Sequence, residues 1–170
     1  MLKPPFPPDE AERLKALHDL LVLDTEPEER FDSITAFCCS AFKVPIALVS
    51  LVDTDRQWFK SRQGLDACET GRDISFCGHA ILQAEPLIVT DAATDPRFAD
   101  NPLVTGEPKI RFYAGMPLQL HSGQRIGTLC LIDRRPRRLE PEEIAQLRDL
   151  AGLVVQELEA PGSTQAPGAR

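Results

Sequence analysis

Residues 44–61 read VPIALVSLVDTDRQWFKS, and this stretch decides the fold class. Val44–Val52 is an apolar run rich in Val and Ile. It is too short for a surface helix and reads as a central strand covered on both faces. Asp53-Thr54-Asp55 supplies a turn and Gln57–Ser61 a second strand, so the pair forms a hairpin. Further along, Arg111–Leu120 and Arg125–Ile132 form a second hairpin across His121-Ser122-Gly123-Gln124, with Gly123 supplying the turn. Between the hairpins, Gly64–Arg72 reads as loop and Leu87–Val89 as a short strand. Ser75 is placed to cap a short helix over Phe76–Gln83. Asp91–Glu107 carries two prolines, Gly106, three aspartates and an asparagine. Long irregular segments of this kind inside a compact domain are often functional.

Helices bracket the hairpins. Pro4, Pro5, Pro7 and Pro8 make residues 1–8 an extended lead-in. Asp9 is positioned as a cap, and Leu14, Leu17 and Leu21 recur at helical spacing. After Pro27, a second helix carries the stripe Phe31, Ile34, Phe37, Cys38 and Phe42. A turn at Arg134–Arg138 leads to Pro141, which opens a last helix. There Ile144, Leu147, Ala151, Val154 and Leu158 follow the 3-4-3-4 spacing of a heptad seam, and Leu150 and Leu153 supply a second apolar face. Residues 161–170, PGSTQAPGAR, read as a disordered tail. Antiparallel pairs with helices at both ends predict an α+β sandwich, one domain over 9–160.

Composition narrows the function classes. The 170 residues suit a single ordinary domain, and 42% hydrophobic with 26% charged residues excludes wholesale disorder. A net charge of −7 argues against nucleic acid or an anionic membrane as the main partner. The five cysteines, Cys38, Cys39, Cys68, Cys77 and Cys130, are odd in number and include no C-x-x-C pair. A disulfide framework and a structural zinc site are therefore not expected. With no signal peptide and no apolar run of transmembrane length, the expected setting is a reducing cytoplasm.

The stretches LDTEPEERFD, ALVSLVDTDRQWFKSRQGL, ISFCGHAI, TDPRFADNPLV, IRFYAGMPL and GTLCLIDRRPR, in this order, resemble the GAF domain. They are most similar to the bacterial sensory type that precedes histidine kinases and diguanylate cyclases. The resemblance spans roughly Glu10 to Glu159. It implies a central antiparallel sheet, with the first and last helices on one face, often in a dimer. On the other face, a short helix and loops enclose a ligand pocket. The homodimer is then expected through Leu14, Leu17, Leu21, Ile144, Leu147, Ala151, Val154 and Leu158, with a histidine kinase or diguanylate cyclase as output partner.

Candidate chemistry gathers on the pocket side. Phe76-Cys77-Gly78-His79 admits two readings. One is a thiolate activated by a helix N-terminus and an imidazole; the other is a pocket-lining thiol beside a helix-start histidine. Positions i and i+2 on a helix do not face each other, which disfavours a direct thiolate–imidazole pair. Free methionine sulfoxide reductases are GAF proteins, and Cys77 matches one of their cysteines. Their essential cysteine belongs in the segment corresponding to Phe98–Arg111, which has none here. The Asn-Lys and Asp-Glu pairs of cyclic-nucleotide-binding relatives are missing, and so is the adjacent Cys-His pair of bilin-binding ones. Arg97 is either an anion partner or a loop residue tied to a local carboxylate. In a strand, only one of Trp58 and Phe59, and one of Phe112 and Tyr113, can face the pocket. The expected ligand-binding set is Trp58, Phe76, Cys77, His79, Asp91, Arg97, Phe98 and Tyr113, with no catalytic residue, metal or cofactor. Arg134, Arg135, Arg137 and Arg138 read as a solvated basic face. The expectation is a non-catalytic sensory module for a small molecule. The alternatives are a Cys77-centred reductase and a ligand-free dimerisation scaffold.

Overall fold

A computed structural model of the chain describes residues 1–160; the expected disordered tail lies outside the described residues. The apolar run Val44–Val52 becomes β1 (Ile46–Val52), buried at every position. It hydrogen-bonds to β2 (Arg56–Gln63) on one side and β6 (Arg125–Asp133) on the other. With β3 (Glu69–Gly71), β4 (Leu87–Val89) and β5 (Phe112–Gln119), the strands form one six-stranded antiparallel sheet in the order β3-β2-β1-β6-β5-β4. Both hairpins are present. β3 falls where only loop was expected: a three-residue edge strand offers too short a pattern to read.

Three helices, α1 (Glu10–Asp19), α2 (Glu29–Phe42) and α5 (Pro141–Glu159), contribute to the core on one face. Ala47, Val49 and Leu51 of β1 meet Phe31, Ile34, Cys38 and Phe42 of α2 and Leu147, Val154 and Leu158 of α5 there. The alternate residues Ile46 and Leu48 join a second core on the other face, with Phe59, Phe76, Phe98, Tyr113 and Ile132. A strand between two cores has no polar side, which explains the unbroken apolar run. The second face is covered by α3 (Cys77–Ala80), α4 (Pro102–Thr105) and irregular chain. α3 is one turn rather than the eight residues expected. Asp91–Glu107 holds a 3₁₀ turn, Ala92–Thr94, besides α4.

Several local expectations need correction. Asp9 makes no side-chain cap. α5 does open at Pro141 as expected, and a reciprocal capping box between Glu140 and Glu143 closes its start. Phe37 turns away from the core and is 48% exposed. The heptad seam of α5 is spent within the chain: Leu147, Ala151, Val154 and Leu158 are buried in the helix-side core, and Ile144 packs against it. Leu17 is buried there too, Leu14 is half-buried, and Leu21 lies outside α1 and exposed. A 3-4-3-4 stripe serves a sheet as well as a partner helix, so spacing alone could not choose. The outward side of α5 carries Leu153, 48% exposed.

The lead-in belongs to the folded body. Pro4 and Pro7 are buried, the Leu2 N–H donates to the Arg97 carbonyl, and the Phe6 ring lies under the Arg72 guanidinium. α1 docks through charge. The Glu10 carboxylate accepts from Arg13 (2.9 and 3.2 Å) and from Arg72 (2.6 and 3.1 Å). Both guanidiniums are buried and also donate to carbonyls at the end of β1 and the turn after it, Val52 for Arg13 and Asp53 for Arg72. Burial pushes the Glu10 carboxyl up, but the bonds from Arg72 and Arg13 outweigh it and hold it below its ordinary value. Against the same burial effect, Glu28 is held down by Arg30 and Lys60, and Asp53 by His18, the Thr54 backbone N–H and Arg56. A carboxyl whose folded pKa lies below its unfolded one contributes stability above the unfolded value and loses it as pH falls through the folded value. Stability should therefore fall steeply below about pH 4, as the unfolded chain takes up protons that these three carboxyls resist in the folded state, after a shallower loss that starts near pH 6.5 from the buried His79, whose folded form is likewise held below its ordinary value. Urea midpoints across that range would check this; a midpoint unchanged down to pH 3 would sink it.

Candidate functional site

The loop-covered face of the sheet holds a chamber of about 410 Å³. Leu48 of β1, Phe59 of β2, Tyr113 of β5 and Cys130 and Ile132 of β6 make its floor. Phe76, Leu65, Leu103 and Ile110 form apolar walls. Gln57 and Thr70 add polar groups, and Asp66, Glu107 and Arg134 are exposed residues of its lining. Gly64 turns the chain from β2 into the Leu65–Ala67 wall at φ +77°, and a Cβ there would lie 2.0 Å from the Pro45 carbonyl oxygen. Gly115 is required for a different reason. The Tyr113 ring lies back along β5, and a Cβ on Gly115 would come within 2.3 Å of its hydroxyl.

Of the eight expected ligand residues, Phe76 and Tyr113 line this chamber. Trp58 does not: it pairs with Leu51 and joins the helix-side core, while Phe59 opposite Ser50 takes the chamber side. Phe98 lies behind the wall, stacked on Phe76 with ring centroids 4.1 Å apart and planes 8° from parallel. Tyr113 tilts against the other side of Phe76 at 5.0 Å. His79 sets its ring edge against Phe98, and its Nε2–H donates to the Leu2 carbonyl at 3.0 Å. Burial holds His79 below its ordinary pKa. Arg97 is spent on Asp95, with bonds of 3.0 and 2.7 Å, and lies over the Phe98 ring. Asp91 caps the 3₁₀ turn by accepting from the Ala93 N–H. Asp91, Arg97 and His79 thus build the wall's backing, and no contact with the chamber is made by them.

Cys77 sits beneath the chamber, 1% exposed, against Val52 and Ile81. Its thiol donates to Gln57 Oε1 at 2.8 Å and lies 3.0 Å from Ser50 Oγ. Burial pushes it up to about 11. At neutral pH that leaves roughly one thiolate in 10⁴, which is the opposite of an activated nucleophile. The Ser75 hydroxyl accepts from the Gly78 N–H, so the expected cap is made, and it serves to hold the turn under Phe76.

Chamber residues outside the expected ligand set include Leu48, Gln57, Phe59, Leu65, Leu103, Ile110, Cys130, Ile132 and Arg134. Strand alternation could have found Phe59 and Ile132, once β2 and β6 were registered against β1. Leu65, Leu103 and Arg134 come from irregular chain and carry no periodic signal.

The sheet order, the helix layer and the chamber under a loop layer coincide with one known domain type, and the GAF domain family matches residues 26–158. The chain belongs to the GAF domain family. It is 46% identical over 165 residues to a cyclic di-GMP phosphodiesterase of Pseudomonas aeruginosa. That match covers 96% of this chain and 28% of the relative, so the chain spans under a third of that protein's length. Among solved structures, a free methionine-R-sulfoxide reductase from Neisseria meningitidis, in complex with its substrate, superposes with a TM-score of 0.63 at 20% identity. That superposition covers 94% of this chain and 96% of the reductase. A domain ascribed to a two-component sensor histidine kinase of Sinorhizobium meliloti gives 0.60 at 19% identity, over 78% of this chain and 91% of that one. At these identities the structural likenesses establish the fold alone. Within this GAF domain, the chamber is the cavity between sheet and loop layer. A second, more polar hollow lies beside Trp58, Lys60 and Cys68 on the far side of β2.

Proposed function

We propose that this GAF domain is a non-catalytic, cytoplasmic sensory module. A small molecule in the chamber shifts the loop layer, and a dimer's helices pass the shift to an output enzyme. The output fits a histidine kinase, a diguanylate cyclase or, as the name of the P. aeruginosa relative suggests, a cyclic di-GMP phosphodiesterase. The observation that carries this reading is the chamber itself, an apolar hollow with a few polar groups, of the size that small-molecule sites have. Ligand and output couple only if the ligand prefers one arrangement of the layers. The five unpaired thiols suit a reducing compartment. The inert burial of Cys77 favours a regulatory role over the reductase alternative.

Native mass spectrometry, before and after denaturation, tests the reading. A mass excess that denaturation removes supports it; a bare monomer overturns the dimer relay. The heptad seam is already packed, so dimerisation falls to the outward sides of α2 and α5, where Phe37 and Leu153 are half exposed. Leu153→Glu is expected to convert a dimer to monomer in light scattering with little loss of thermal stability, because the side chain is half exposed and not one of the buried core residues. A dimer that survives both Leu153→Glu and Phe37→Glu would place the interface elsewhere.

A further inference from the structure

We infer that the chamber selects an apolar monocarboxylate, a small molecule with a hydrocarbon or aryl body and one carboxylate end, and that Arg134 reads the carboxylate. This rests on the chamber being a ligand site, as proposed above.

The body of the ligand follows from the walls. Leu48, Phe59, Leu65, Phe76, Leu103, Ile110 and Ile132 present alkyl and aromatic surface. The polar groups of the lining bond chiefly to one another or to side chains beneath it. The Gln57 amide N–H donates to Thr70 Oγ1 at 2.5 Å, and its oxygen accepts from Cys77 and Ser50. The Tyr113 hydroxyl lies 3.5 Å from that of Thr128. A ligand placing many polar atoms deep inside would lose their hydration for few replacement bonds. A hollow of about 410 Å³ lies in the size range of small-molecule sites.

The charge follows from the exposed part of the lining. Arg134 is the one cation among the described lining residues, and its guanidinium has no hydrogen-bond or ion-pair partner among the described residues. Its neighbours in the basic run are differently placed. Arg137 donates to the Phe42 and Lys43 carbonyls and pairs with Asp133, and Arg135 lies 3.7 Å from Asp133. Asp66 and Glu107 share the lining with Arg134. A phosphate ester or a dicarboxylate would bring more negative charge than one guanidinium answers and would face those two carboxylates. A single carboxylate fits the guanidinium fork in bidentate fashion.

The test uses displacement of N-phenyl-1-naphthylamine, a neutral apolar fluorophore, from the full chain. Decanoate, 1-decanol and cyclic AMP serve as competitors. Decanoate should compete at least about tenfold more tightly than decanol, the usual scale for one charge-assisted contact. Arg134→Gln should remove that advantage, and Arg135→Gln should leave it. Equal competition by decanol and decanoate would overturn carboxylate selection, with the apolar chamber intact. Displacement by cyclic AMP but not decanoate would overturn the ligand class and leave the sensory reading standing. A folded protein that binds neither the fluorophore nor any competitor would overturn both.

Discussion

Glu10→Gln should destabilise this domain by about 3 kcal/mol, the lower end of what removing one partner of a buried ion network costs. One carboxylate neutralises two guanidiniums, Arg13 and Arg72, which are 1% and 3% exposed. The neutral amide leaves both cations buried without a counter-charge, sharing one amide oxygen and the backbone carbonyls as acceptors. For a chain of this length, such a loss lowers Tm by roughly 6–12 °C. Glu12→Gln, on the exposed side of the same helix, is the control and should stay within about 0.5 kcal/mol of the parent. The gap between parent and E10Q should close in acid, because protonation of Glu10 removes the same charge. An E10Q protein as stable as the E12Q control at neutral pH would mean the network contributes nothing.

Phe76→Ala should cost about 3–5 kcal/mol, the range for emptying a buried aromatic position. The ring is buried between Phe98 and Tyr113 and is also a wall of the chamber. Its loss removes the stacking contacts and joins the vacated space to the chamber. Phe76→Leu keeps most of the volume and should cost clearly less. Urea unfolding of both variants, with fluorophore titration of the leucine protein, separates stability from binding. A loss under 1 kcal/mol for the alanine variant would show that the loop layer is not held by this ring.

How much of this was legible beforehand depended on which force set each feature. The two hairpins and three long helices announced themselves because burial imposes period 2 or 3.6 on the chain. The all-apolar Val44–Val52 run even disclosed that both faces of β1 are covered. The chamber was half legible. Phe76 and Tyr113 follow from order along the chain, but Trp58 and Phe59 are adjacent, and register against β1 decides between them. A bulge between Val49 and Ser50 shifts that register, and nothing local in the residues marks it. Arg97 and His79 looked like ligand residues because charged and imidazole groups in loops often are. Their partners Asp95 and the Leu2 carbonyl lie two residues away in one case and across the fold in the other. The α5 seam misled for a simple reason: the same spacing serves a sheet and a helix.

The N-terminal segment bears on where this domain is cut for study. The family match begins at residue 26, yet Pro4 and Pro7 are buried, and Arg13, Leu17 and Val22 are core residues. Gly78 lies so close under Pro4 that a Cβ there would come within 2.8 Å of the proline ring. A fragment trimmed to the matched limits would strip the cover from α3, leave Arg72 without Glu10 and open the helix-side core at Leu17. The limits of the family match therefore fall short of the folded body, which takes in the chain from Pro4 onward.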